Sequence, residues 1–212
     1  MSLRSYTRGA AVLAGALSVL FAKEAFAQEK DGVRFRGGVA LEGGVLAVPD
    51  IVTLGTAGIS AQLGVQINNQ FGVYVVPTLG ALFNSNLGGV NVAGALMVDY
   101  TMLDNLITVG VGPDVGSFAA IGGSISQNGV SQSAAAGEFY GARFHFSVNP
   151  AVSIGSNGIR RKALMIGLDL RLLGGYGGFA RQEATTSGSV SQNVAVGSFV
   201  VSPQFSIGYQ AF

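Results

Sequence analysis

The chain contains no cysteine and a single histidine, His145, among its 212 residues. Without cysteine there are no disulfide staples, thiolate metal sites or thiol nucleophiles, and one histidine alone does not build a zinc site of the usual kind. Charge is scarce as well: 11% of the residues are Asp, Glu, Lys or Arg, where a soluble domain carries about a quarter. These charges form no basic stripe, so the electrostatic footprint of a nucleic-acid-binding protein is missing. Long apolar runs are missing too. The stretch from Ala10 to Ala22 spans 13 residues, short of the roughly 20 that a membrane-crossing helix needs.

That stretch fits an export signal. Arg4 and Arg8 precede it, and Ala25-Phe26-Ala27 stands just before Gln28, the small-x-small form that signal peptidase reads. The expected division is a signal peptide over residues 1–27, cleaved after Ala27, and a mature domain over 28–212. No cysteine follows the cut, so a lipoprotein anchor is excluded. Cleavage removes Arg4, Arg8, Lys23 and Glu24, which takes the chain from 12 basic and 11 acidic residues to 9 and 10. The mature chain is nearly neutral.

What is abundant is glycine, with 33 residues, and a mean hydropathy of +0.47. After Gln28 every apolar run is interrupted within a few residues by Gly, Ser, Asn, Gln or a charge, which is the period-2 signal of strands with one apolar and one polar face. Ile59, Ala61, Leu63, Val65 and Ile67 alternate with Ser60, Gln62, Gly64 and Gln66, and Leu164, Ile166, Leu168, Leu170 and Leu172 alternate with residues that include Asp169 and Arg171. The same pattern gives strands near 33–45, 59–67, 71–83, 90–102, 107–118, 139–152, 164–172 and 199–209. A soluble β-sandwich also alternates, but these apolar faces would need a second layer, and no amphipathic helix of useful length is available to supply one.

Turn chemistry makes the pairing specific. Asn68-Asn69-Gln70 turns the second strand into the third, so that Gly64 lies opposite Tyr74, whose ring can cover the bare backbone. Leu103-Asp104-Asn105-Leu106 reads as a two-residue hairpin that sets Thr101 against Thr108 and Asp99 against Gly110. Pro77 and Pro113 remove ladder donors and are expected at bulges. An Asn157-Gly158 turn alone would bring His145's face against the leucine face, so a bulge or a longer turn is required between the sixth and seventh strands. Longer loops are expected near 46–58, 84–89, 119–137 and 174–192. Phe83, Tyr140 and Phe199 would form an outer aromatic girdle, and Phe35, Tyr100 and Tyr209 an inner one.

Lipid requires every backbone amide to be paired, and a sheet meets that requirement only when closed. The expected fold is therefore all-β, an eight-stranded antiparallel up-and-down transmembrane β-barrel in the cell outer membrane. On signal, strand count, alternation and a terminal Phe212, residues 33–212 resemble the small eight-stranded outer-membrane barrels, the family whose members include outer membrane proteins A, X and W. In that family an outward aromatic stands two positions before the aromatic end residue; here Tyr209 stands three before Phe212. The resemblance implies outer-membrane lipid as surroundings, periplasmic chaperones and the barrel assembly machinery as partners during biogenesis, and a monomer without cofactor.

Eight strands enclose a lumen just wide enough for side chains. The inward parity carries Glu42, Asp99, Asp114, Arg143, His145, Asp169 and Arg171, mixed signs in a confined space, which are expected to pair with one another because unpaired buried charge is costly. A structural or surface protein with a narrow, charge-paired lumen is the resulting expectation, with a small gated pore for ions or small solutes as the alternative. His145-Phe146-Ser147 resembles the His-x-Ser pair of outer-membrane lipid A deacylases. However, Val148 follows where that family has Asn, Ile159 stands where the acid is expected, and both groups face the lumen, so no catalytic residue is assigned. Tyr176, Phe179 and Arg181 form the best candidate patch on a surface loop. Gly123-Ser-Ile-Ser-Gln-Asn128 recurs as Gly188-Ser-Val-Ser-Gln-Asn193, through an old hairpin duplication or through shared loop composition.

Overall fold

A computed structural model describes residues 33–48, 52–68, 70–85, 87–103, 106–127, 130–154, 161–185 and 188–211. The expected signal peptide, 1–27, and the Asn157-Gly158 turn lie outside the described residues. Eight strands follow in chain order: β1 Arg34–Val48, β2 Val52–Gln66, β3 Phe71–Phe83, β4 Leu87–Met102, β5 Ile107–Gln127, β6 Val130–Ile154, β7 Arg161–Thr185 and β8 Gly188–Ala211. Each pairs antiparallel with its sequence neighbour, and β8 returns to β1, closing the barrel.

The local signals act as their chemistry dictates. Asn68 Oδ1 accepts hydrogen bonds from the backbone N–H groups of Gln70 (2.7 Å) and Phe71 (2.8 Å), an Asx turn that reverses the chain. Asn84 Oδ1 accepts from Leu87 N–H at 2.7 Å and does the same between β3 and β4. Leu106 N–H donates to Leu103 O at 3.0 Å, and Leu103 takes φ 52° to make the turn, a left-handed conformation that large side chains seldom adopt. Beyond these turns the expected partners meet: Gly64 with Tyr74, Asp99 with Gly110, and Thr101 with Thr108. At Gly64 a Cβ would lie 2.6 Å from Tyr74 Cβ, so glycine is what lets the tyrosine close over the β2 backbone.

Register fixes the barrel's geometry. A path from Arg34 through partners Gln66, Gly72, Asp99, Gly110, His145, Asp169 and Gln204 returns to β1 at Gly44. The offset from residue 34 to residue 44 is the stagger that tilts the strands by roughly 40°. The required irregularity between β6 and β7 is present as a register shift between Val148 and Ala151.

Two expectations are corrected. Neither Pro77 nor Pro113 sits at a bulge: β3–β4 runs in one register past Pro77 and β5–β6 in one register past Pro113. Each proline instead turns its donorless side to a gap in the other ladder, between Ser60–Thr78 and Leu63–Val75 for Pro77, and between Ala95–Asp114 and Val98–Val111 for Pro113. The second correction concerns the long loops. Most of 46–58, 119–137 and 174–192 is strand, and the described strands leave only residues 49–51, 84–86, 128–129 and 186–187 between them at that end. As a result β5 to β8 continue well beyond the point where β4 stops pairing with β5, at Leu87–Gly122, and β1 with β8, at Ala47–Val201.

Candidate functional site

The outer surface is apolar throughout its middle. Leu41, Val75, Leu96, Val111, Phe144, Leu168 and Phe205 are exposed, and Phe83, Tyr140 and Phe199 ring the upper end while Phe35 and Tyr209 lie at the lower. Tyr100 stacks at a tilt on Phe71 with ring centroids 5.0 Å apart. Polar and charged side chains point the other way, into the lumen, where they are almost wholly removed from solvent.

At the end where the barrel's termini lie, Arg36 occupies the axis. Its Nη1 meets Asp99 at 2.5 Å, and Nη2 donates to Gln210 Oε1 at 3.1 Å. The guanidinium carbon stands 4.2 Å from the centroid of the Tyr74 ring, a cation–π geometry. Gln210 in turn donates to Asn149 Oδ1 (2.8 Å), Asn149 to Thr108 Oγ1 (3.3 Å), and Thr108 shares a hydrogen bond with Thr101 (3.3 Å). Side chains from six strands thus form a continuous polar floor.

Above the floor, Arg143 bridges two carboxylates. Its Nη2 donates to Glu42 Oε1 at 2.7 Å, its Nε to Asp169 Oδ1 at 2.8 Å and its Nη1 to Thr78 Oγ1 at 3.3 Å. The same Asp169 oxygen lies 3.0 Å from His145 Nδ1. One strand further round and slightly higher, Arg171 grips Asp114 through Nε (2.5 Å) and Nη2 (3.1 Å), with its guanidinium carbon 4.9 Å from the Phe139 ring centroid. A void of about 10 Å³ remains beside Arg143, space for about one water molecule.

Higher still, the lumen is mainly apolar, with the buried amide of Asn91 between Leu87 and Ala93 on the inward side of β4. Leu46, Val48, Leu54, Leu82, Leu87, Ala93, Phe118, Phe139, Leu173 and Val200 form one buried cluster inside the wall. Polar tiers therefore dominate the lower lumen, beside a small buried cluster of Tyr74, Val76, Ala95 and Met97, and an apolar cap dominates the upper.

All seven residues of the sequence-derived lumen set point inward and are buried. Six of them meet in two groups, Glu42–Arg143–Asp169–His145 and Asp114–Arg171. Asp99 belongs to the third, with Arg36, whose inward parity was legible although it was not placed in the set. The acid that His145 lacks along the chain is supplied across the ladder, since His145 and Asp169 are directly paired in β6–β7. The candidate surface patch is corrected: Tyr176, Phe179 and Arg181 lie on β7, paired with Gly197, Val194 and Gln192, so they are strand rather than loop. Glycines at 174, 175, 177 and 178 erased the alternation there. Their side chains lie outside what the structure describes.

An apolar exterior, a polar and ion-paired lower interior and a closed ladder define a membrane-spanning β-barrel of the outer-membrane type. In arrangement the chain is similar to outer membrane protein AlkL, solved by solid-state NMR in DMPC lipid bilayers, at 11% identity and a TM-score of 0.46, over 89% of this chain and 94% of that one. No family model matches the sequence, and no curated protein matches it.

Proposed function

We propose that this protein is an integral outer-membrane barrel with a structural and cell-surface role, whose charge-paired lumen is shut, and that it is not a general porin. The carrying observation is the unbroken stack of buried side chains, from the Arg36 floor through the Arg143 and Arg171 tiers to the apolar cap. Mutual pairing removes the several kcal/mol that each unpaired buried ion would cost, and the cap excludes the water that would loosen those pairs. Single-channel recording in planar bilayers tests the reading: no steady current is expected from the wild-type barrel, and a continuous open level overturns it.

A small gated pore is the second reading. It is favoured by the void beside Arg143, and by the fact that side chains alone, with no inserted loop among the described residues, make the seal. Brief, voltage-dependent openings above a closed baseline would select it. The deacylase-like reading has the Asp169–His145 pair in its support, but that pair shares its carboxylate with Arg143 and borders a space too small for a lipid substrate. Lipid A acylation in whole cells is expected to be the same with the wild type and with His145→Ala.

A further inference from the structure

The lipid-facing wall carries a groove of about 530 Å³ where β1, β2, β3, β7 and β8 pass the middle of the membrane, within the size range of small-ligand pockets. Leu41, Ile59, Ile207 and Leu164 are among its walls, and Ala61 and Pro77 among the small residues that leave it hollow. It opens to hydrocarbon, so what fills it is a hydrocarbon chain.

Its lower end has a polar mouth. Tyr209 lines the groove, projects outward at the inner girdle and pairs with Leu164. Two residues before Leu164 on the same outward parity stands the exposed Lys162, paired with Ala211 at the end of β8. Lys162 is diagonal to Tyr209, about 7–8 Å away between backbones, a span that a long side chain covers. It closes Arg160-Arg161-Lys162, the sole run of three like charges in the sequence.

From this we infer that the groove seats one acyl chain of an anionic phospholipid from the leaflet on the side of the termini, with the phosphate held by the Lys162 ammonium and the Tyr209 hydroxyl. The ammonium supplies the preference for anionic lipid, and the groove supplies a fixed site where a smooth wall would offer none, because packing rather than hydrophobicity drives association within lipid. The inference rests on the membrane-spanning reading.

The test is native mass spectrometry of the full barrel, released from vesicles of equal phosphatidylglycerol and phosphatidylcholine. Wild type is expected to retain one phosphatidylglycerol. Lys162→Gln should lower that retention about fivefold, the factor that about 1 kcal/mol per basic residue gives. Ala61→Trp, which fills the groove from a lipid-facing position, should lower retention of both lipids to background. Equal retention of the two lipids by wild type, or lipid surviving in Ala61→Trp, overturns the site. So does a wild-type dimer that Ala61→Trp dissolves, which would give the groove to a second copy. Heat-modifiable gel mobility of each variant monitors the barrel separately; its loss in wild type would strike the membrane reading itself.

Discussion

The lower and upper halves of the lumen are enclosed by the same eight strands at the same stagger, yet polar groups dominate one and apolar groups the other. Below Arg171 the inward rows carry Arg36, Gln62, Gln66, Asp99, Glu42, Arg143 and Asp169 around a small cluster of Tyr74, Val76, Ala95 and Met97; above it they carry Leu46, Leu54, Leu82, Phe118, Leu173 and Val200 around the buried amide of Asn91. The polar half depends on geometry, since each desolvated charge there is tolerable only while its partner is in place. The apolar half depends mainly on volume, because close-packed aliphatic and aromatic groups need no particular donor or acceptor. On the closed lumen proposed above, the two halves act as seals in series that fail for different physical reasons.

The sharpest way to break the comparison is Arg143→Met. Glu42 would lose its guanidinium partner and Asp169 would keep only His145 beside it, and loss of one partner from a buried pair costs about 3–5 kcal/mol. Urea unfolding in lipid vesicles measures it. Leu173→Ala comes next. This fully buried residue leaves a hole in the cap, at a cost of about 2–4 kcal/mol. In bilayer recordings each substitution alone should stay closed, and the double variant Arg143→Met/Leu173→Ala should conduct. Current through either single variant would show that the seals are not in series.

A smaller effect is expected where the two chemistries meet. Arg171 and Asp114 pair beside Phe139, at the lower face of the cap. Replacing both ions with apolar side chains of similar size, in Asp114→Leu/Arg171→Met, extends the cap downward and leaves unfolding free energy within about 1 kcal/mol of wild type, whereas Arg171→Met alone costs several. If the double variant were as unstable as the single one, the boundary would be fixed by something other than pairing.

The same division explains what the sequence made legible. Where the lumen is polar, one parity is apolar and the other is not, and strands, faces and registers such as Gly64–Tyr74 and Asp99–Gly110 follow directly. Where the lumen is apolar, both parities are apolar or small, period-2 contrast vanishes, and strand residues such as Leu46, Val48, Leu54 and Leu87 fall in stretches that read as loops. The Gly- and Ser-rich ends of β5 to β8 carry no apolar alternation in sequence to mark them, although backbone ladders hold them extended. Of the site, the inward charges were legible from parity. Their partners were not, because Arg143–Glu42 joins residues 101 positions apart and depends on the stagger of the closed barrel.

The smallest expected effect tests whether the floor is a hydrogen-bonded network or merely packed polar groups. Thr108 Oγ1 serves two neighbours, Asn149 and Thr101, each at 3.3 Å. Thr101→Val removes one of these contacts and leaves Thr108 to accept from Asn149, so the loss should stay below about 1 kcal/mol. Thr108→Val removes both contacts of a buried hydroxyl, which should cost more, about 1–3 kcal/mol. Both substitutions keep the β-branched shape, so the difference between them isolates the hydroxyl's role as a relay. Equal costs would mean that the floor holds by shape, as the cap does, and the contrast between the halves would then reduce to the ion pairs alone.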